Sequence, residues 1–152
     1  MLMDNWYECK VRLERAAEDG KRKRVSETYL VNAINCTEAE TRVVRELAPG
    51  SIDAPVVINL KRANYAEMFT AGIDADRWYK VKCLFVTIDE RGQEKRTPNT
   101  MLVQATDLED AVARFNQGMK DSMSTYELHT VQESGIVDVF PYLPEVGRTE
   151  PS

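Results

Sequence analysis

The sequence predicts an α+β protein: a tandem duplication of a β-β-α-β unit, forming one compact pseudo-twofold domain of antiparallel sheet covered by two helices. Three observations predict it. Residues 6–14 alternate between two faces, with Tyr7, Cys9, Val11 and Leu13 on one and Trp6, Glu8, Lys10, Arg12 and Glu14 on the other, which is the period of a half-buried strand. Trp6-Tyr7 returns as Trp78-Tyr79, and holding that offset of 72 without a gap gives 13 identities over residues 6–47; ordinary composition would give about two or three by chance. Each copy also carries one segment of helical period behind a capping residue. The first repeat is assigned to residues 1–69, a linker to 70–76, the second repeat to 77–142 and a frayed tail to 143–152.

The elements follow in order. Tyr7, Cys9, Val11 and Leu13 form the apolar face of the first strand, and Tyr79, Val81, Cys83 and Phe85 repeat it; Trp6, Lys10, Trp78 and Lys82 face the other way. Gly20 and Gly92 sit in polar stretches and predict hairpin turns. Second strands follow through Val25–Ala33 and Thr97–Ala105, and Pro98 interrupts the start of the latter, which suits a sheet edge or a strand entry. Asn35 and Asp107 predict helix N-caps, and Asn35 with Glu38 resembles a capping box. The helices show apolar positions at Cys36, Ala39, Val43 and Leu47, and at Leu108, Ala111, Phe115 and Met119. A third strand region closes each repeat, over Val56–Lys61 and Tyr65–Phe69, then over Tyr126–Gln132 and Ile136–Phe140, with bends expected at Asn64 and Gly135.

Four stretches, Asn5-Trp6-Tyr7-Glu8-Cys9-Lys10-Val11, Asp76-Arg77-Trp78-Tyr79-Lys80-Val81-Lys82, Met101-Leu102-Val103-Gln104-Ala105 and Asp138-Val139-Phe140-Pro141-Tyr142, together resemble a domain-of-unknown-function family of gut Bacteroidetes, their mobile elements and their phages. The resemblance spans about residues 3–142. It implies a cytoplasmic protein of a bacterial host or phage, and it implies no activity and no catalytic residue.

Composition narrows the function. The net charge of −5 on 152 residues argues against a general DNA coat or a polybasic membrane binder. No apolar run reaches the ~20 residues of a membrane helix, and the N-terminus lacks the basic and apolar regions of a signal peptide. Cys9, Cys36 and Cys83 are odd in number and widely spaced, so neither a disulfide framework nor a zinc site is expected. The one histidine, His129, stands alone in the last strand region, and no nucleophile motif or phosphate-cradling loop occurs. The expectation is a protein that is not an enzyme and holds no metal or cofactor.

What remains is a surface. An aromatic ring beside a lysine on an open sheet can stack a base and neutralise its phosphate, and Trp6/Lys10 and Trp78/Lys82 offer this pair twice. The hairpin tips add Lys21, Arg22, Lys23 and Arg24, then Arg91, Lys95 and Arg96. The sequence therefore predicts a binding protein, with single-stranded nucleic acid as its ligand. A protein–protein interaction or assembly module, such as a virion component or a host-targeting inhibitor, is the alternative. Packing of the two tryptophans against each other, and their use as anchors for a partner protein, stay open.

Overall fold

Two long hairpins organise the chain in the computed structural model, which describes residues 5–71 and 74–141. Strands β1 (Trp6–Ala16) and β2 (Arg22–Asn32) form the first, and β5 (Arg77–Ile88) and β6 (Glu94–Ala105) the second. Every cross-strand pair of the first, moved by 72 positions, is a pair of the second, from Trp6 opposite Asn32 and Trp78 opposite Gln104 to Ala16 opposite Arg22 and Ile88 opposite Glu94. The turns match as well. The N–H of Ala17 donates to the carbonyl of Lys21 and that of Asp89 to Gln93, at 2.7 and 2.9 Å. Gly20 and Gly92 take φ of +83° and +79° there, a region that a Cβ disfavours.

Each hairpin leads into a helix, α1 (Cys36–Leu47) and α2 (Leu108–Gly118). The side chain of Asn35 accepts from the N–H of Glu38, and the Glu38 carboxylate accepts in return from the N–H of Ile34. Asp107, Asp110 and Thr106 repeat this exchange. Two orphan donors are thus satisfied at each helix start. The helices bury Ala39, Val43 and Leu47, and Ala111 and Phe115, against the apolar strand faces. Leu108 and Cys36, expected on those faces, are exposed instead: both stand at the first helical position, where the helix has not yet reached the sheet.

The third strands, β3 (Val56–Ala63) and β7 (Thr125–Glu133), pair antiparallel with β1 and β5. Each carries a bulge, at Ile58 between Lys10 and Val11 and at His129 between Lys82 and Cys83. The bulge changes which parity faces the core. Tyr126 and Val131 are five positions apart yet both pack beneath α2, and Val57 and Leu60 both pack beneath α1.

Here the structure corrects the expectation of three strands per sheet. The short last strands, β4 (Glu67–Phe69) and β8 (Ile136–Phe140), do not pair with the strands that precede them in sequence, β3 and β7. Instead β8 joins β2 in parallel and β4 joins β6 in parallel, which gives two four-stranded sheets of order β3-β1-β2-β8 and β4-β6-β5-β7. The architecture is mixed α+β, with two such sheets and two helices. The chain forms two compact units. Unit 1 is the segment ending at Ala63 together with that beginning at Ile136, and unit 2 is Asn64–Gly135. Pro98 lies beyond the reach of β4, which covers only Met101–Val103 of β6, so that side of β6 is open at the proline. The tail expected from Leu143 lies outside the described residues. Among the described residues no helix is long and apolar enough to cross a membrane.

β8 and β4 each contribute an aromatic residue to the core of the sheet they join. Phe140 of β8 stacks on Tyr29 with ring centroids 5.4 Å apart. Phe69 of β4 meets Phe115 edge-on at 6.3 Å, and Tyr126 meets it at 5.5 Å. Gly118 makes room for that cluster, because a Cβ there would fall 2.7 Å from the Phe69 ring.

Candidate nucleic-acid interface

The side chains predicted to bind nucleic acid lie on the sheet faces opposite the helices and at the hairpin tips. On unit 1 that face presents, rung by rung, Lys10 opposite Thr28, Arg12 opposite Ser26, Glu14 opposite Arg24, then Arg22 at the turn. Lys10, Arg12, Arg22 and Arg24 are exposed. Glu14 is shared by Arg22 at 3.5 Å and Arg24 at 3.7 Å, and Arg22 also reaches Asp53 at 3.5 Å. Such solvated pairs contribute little and exchange readily for another anion. Lys21 and Lys23 at the tip are exposed and make no ion pair among the described residues.

On unit 2 the corresponding face is different. Lys82 is exposed opposite Thr100, but the rungs beyond it are Leu84–Pro98 and Val86–Arg96, ending at an exposed Ile88. Arg96 is held by Glu127 through two bonds of 3.2 Å and by Glu94 at 3.4 Å. That guanidinium keeps the Glu127 carboxyl below the usual carboxylate range. Lys95 and Arg91 are exposed at the tip.

The tryptophans are not equivalent. Trp6 is half-buried, whereas Trp78 is only 5 % exposed. Trp78 therefore has no open ring face on which a base could stack, which corrects its assignment as a stacking residue. Its surroundings on unit 2 are closed as well: Leu102, which alternation places on the same sheet face, is buried completely. The structure brings Lys10, Arg22 and Arg24 onto one face of one hairpin, and turns Lys23 and Lys95 to the helix side of theirs.

Sequence reasoning missed Arg12, although the strand alternation already placed it on the face of Lys10. It also missed a groove of about 260 Å³ on unit 2, lined by Lys80, Lys82, Thr100, Thr130 and Gln132. Those residues come from three strands, so only the register reveals them together.

Burial, with Cys36, Glu40 and Glu8 adding to it, pushes the Cys9 thiol up to about 12, and burial also raises Cys83. His129 is exposed at the β7 bulge. Among the described residues no three His, Cys, Asp or Glu side chains converge as metal ligands would.

The family model of DUF4494, a domain of unknown function, matches residues 5–142, and the chain belongs to that family. No curated protein matches it.

Proposed function

We propose that this member of the DUF4494 family is a non-catalytic binding protein whose ligand is single-stranded nucleic acid, and that it serves as an accessory protein of a phage or mobile element. We further propose that its two halves are copies of one β-β-α-β unit that exchanged their last strands. The shared hairpin register, the shared caps and the shared bulges support the second part.

The observation that carries the ligand reading is the stripe Lys10, Arg12, Arg24 and Arg22 along one face of the β1–β2 hairpin, ending beside Lys21 at the tip. Rungs on one strand face recur every two residues, so these cations form a line rather than a cluster. A line of cations on an acidic protein can follow a phosphate backbone while the rest of the surface repels nonspecific contact. Base stacking has a smaller part in this reading than the sequence alone suggested, since Trp6 is half-buried and Trp78 is buried.

Fluorescence anisotropy with labelled single-stranded DNA and RNA tests it. Binding is expected at low salt, with log affinity falling by about 0.7 per phosphate contacted for each unit of log salt. Replacing Lys10 and Arg12 by Gln is expected to weaken binding across all sequences and to flatten that slope. The absence of binding at low salt would reject the reading.

One observation favours an assembly module instead. Strand β3 is an edge of its sheet and exposes Val56 and Ile58 at 47 % and 42 %. An unpaired apolar edge can accept a further strand from a partner. Loss of partner or self-association in Ile58→Lys, with nucleic-acid binding absent throughout, would favour this alternative.

A further inference from the structure

We propose that the groove on the open face of unit 2, formed by Lys80, Lys82, Thr100, Thr130 and Gln132, is a phosphate-binding site. The inference deepens the nucleic-acid reading by naming where one discrete phosphate is held.

The groove arises from register. Thr100 of β6 and Thr130 of β7 lie directly opposite Lys82 of β5, one on each side. Gln132 lies opposite Lys80, one rung along. Directly opposed residues on one sheet face have Cβ atoms about 4.5–5.5 Å apart. Two ammonium groups, two hydroxyls and a carboxamide therefore surround a space of about 260 Å³. Among the described residues no carboxylate lines it. The bulge at His129 makes the arrangement, because it is what moves Thr130, rather than its neighbour, onto the level of Lys82.

The chemistry suits a tetrahedral oxyanion. A backbone phosphodiester, or a phosphate monoester when doubly charged, has several acceptor oxygens and no donor. Lysine supplies only donors, and the hydroxyls and the Gln amide can each turn a hydrogen toward the ligand. Charge-assisted hydrogen bonds of this type are the stronger class. Lys82 is exposed and makes no ion pair among the described residues, so binding displaces no carboxylate from it.

Unit 1 supplies the contrast. At the same places on its sheet stand Glu8, Lys10, Thr28, Asn59 and Lys61. Glu8 occupies the position of Lys80 and sits 3.9 Å from Lys61. A carboxylate thus occupies the counterpart groove, and its lysine is already matched. The groove of unit 1 thus holds a carboxylate of its own, and that of unit 2 is lined by none among the described residues.

The test uses the full chain and two kinds of probe. Inorganic phosphate is titrated while amide resonances are followed by NMR, with chloride at equal ionic strength as the control. Thymidine oligonucleotides with and without a 5′-phosphate are then measured by anisotropy. Phosphate is expected to shift the amides around Lys82, Thr100 and Thr130. Lys82→Gln and Thr130→Val should remove that shift, and Lys82→Arg should keep it. If the ligand's phosphate enters the groove, Lys82→Gln also weakens oligonucleotide binding about tenfold, the loss of one charged hydrogen-bonding group. A 5′-phosphate preference abolished in Lys82→Gln assigns the site to a strand end, and equal losses on both oligonucleotides assign it to the backbone. Phosphate shifts in the groove without oligonucleotide binding would leave the site standing, as one for a small phosphate ester, and would reject the nucleic-acid reading. Shifts that are absent, or unchanged in well-folded Lys82→Gln, would overturn the site even if oligonucleotides bind at the β1–β2 stripe.

Discussion

Units 1 and 2 share a backbone plan and solve their cores differently. In unit 1 the aromatic partner of the exchanged strand is on the sheet, with Tyr29 of β2 stacked on Phe140. In unit 2 it is on the helix, with Phe115 of α2 packed edge-on to Phe69. The compensation is local: Tyr29 becomes Met101 where Val43 becomes Phe115. Bulk has moved from strand to helix, and the ring that meets the incoming phenylalanine has moved with it. The backbone is set by caps, turns and bulges that both units share, whereas core volume is conserved only as a sum.

The strand exchange makes the largest prediction. Residues 1–69 expressed alone lack β8, and with it Phe140 and the parallel neighbour of β2. A unit of this size has little stability to lose, since small domains are marginal even with a complete core. The fragment is expected to show no cooperative thermal transition by circular dichroism. Joining residue 63 to residue 135 through a flexible linker, which deletes unit 2 but keeps β8, should restore one. A cooperative transition in the fragment as strong as in the joined chain would show that the exchange is not needed for folding.

A second prediction concerns the two core solutions. Phe115→Ala removes a completely buried ring and is expected to cost about 3–5 kcal/mol. Val43→Ala at the equivalent place, also completely buried, removes two methyl groups and should cost roughly 1.5–2 kcal/mol. Importing the unit 2 solution sharpens the comparison. Val43→Phe alone overpacks, at about 1–3 kcal/mol, and Tyr29→Met alone leaves a void. Together they should cost less than their sum by about 1 kcal/mol, because the two sites share one space. Urea denaturation of the four chains measures this coupling, and strict additivity would mean that the two positions do not trade volume.

How far the sequence could be read follows from the same comparison. The hairpins, turns and caps were legible because they depend on neighbours in sequence: strict alternation, Gly20 and Gly92, Asn35 and Asp107. The exchange of β4 and β8 was not. Tyr65–Phe69 and Ile136–Phe140 read as apolar continuations of the preceding strands, and a strand's own residues do not name its partner. The equivalence of Phe69 and Phe140 was also hidden, because after the helices the offset between copies drops from 72 to 71; Asn59 and Thr130, which face Lys10 and Lys82, show the shift. The candidate site was legible only in part. Lys10 and the tip cations followed from alternation, but the same residue type at positions 6 and 78 concealed different burial. The phosphate groove required a bulge and two strand registers, none of which a single strand encodes.

The smallest predicted effect concerns the far end of the unit 1 hairpin, where unit 2 has no counterpart. Arg15 donates to Glu27 at 2.8 Å and to the carbonyl of Gly50 at 3.1 Å, and the Tyr29 hydroxyl donates to the same Glu27 oxygen at 2.6 Å. The equivalent residues in unit 2 are Thr87, Asn99 and Met101, which cannot build this network. Burial alone would raise the Glu27 pKa, but the hydrogen bonds from Arg15 and Tyr29 outweigh it and hold the carboxyl below its ordinary value. A folded-state pKa below the unfolded one stabilises above the unfolded value, about 4.3, and that contribution is lost as pH falls through the folded value. Glu27→Gln is therefore expected to cost about 1–2 kcal/mol at neutral pH, with the difference from the parent chain shrinking on acidification below the ordinary carboxylate range. Melting temperatures of both chains across that acidic range check the sign. A gap that stays constant with pH would mean that the shape of Glu27, and not its charge, holds the network together.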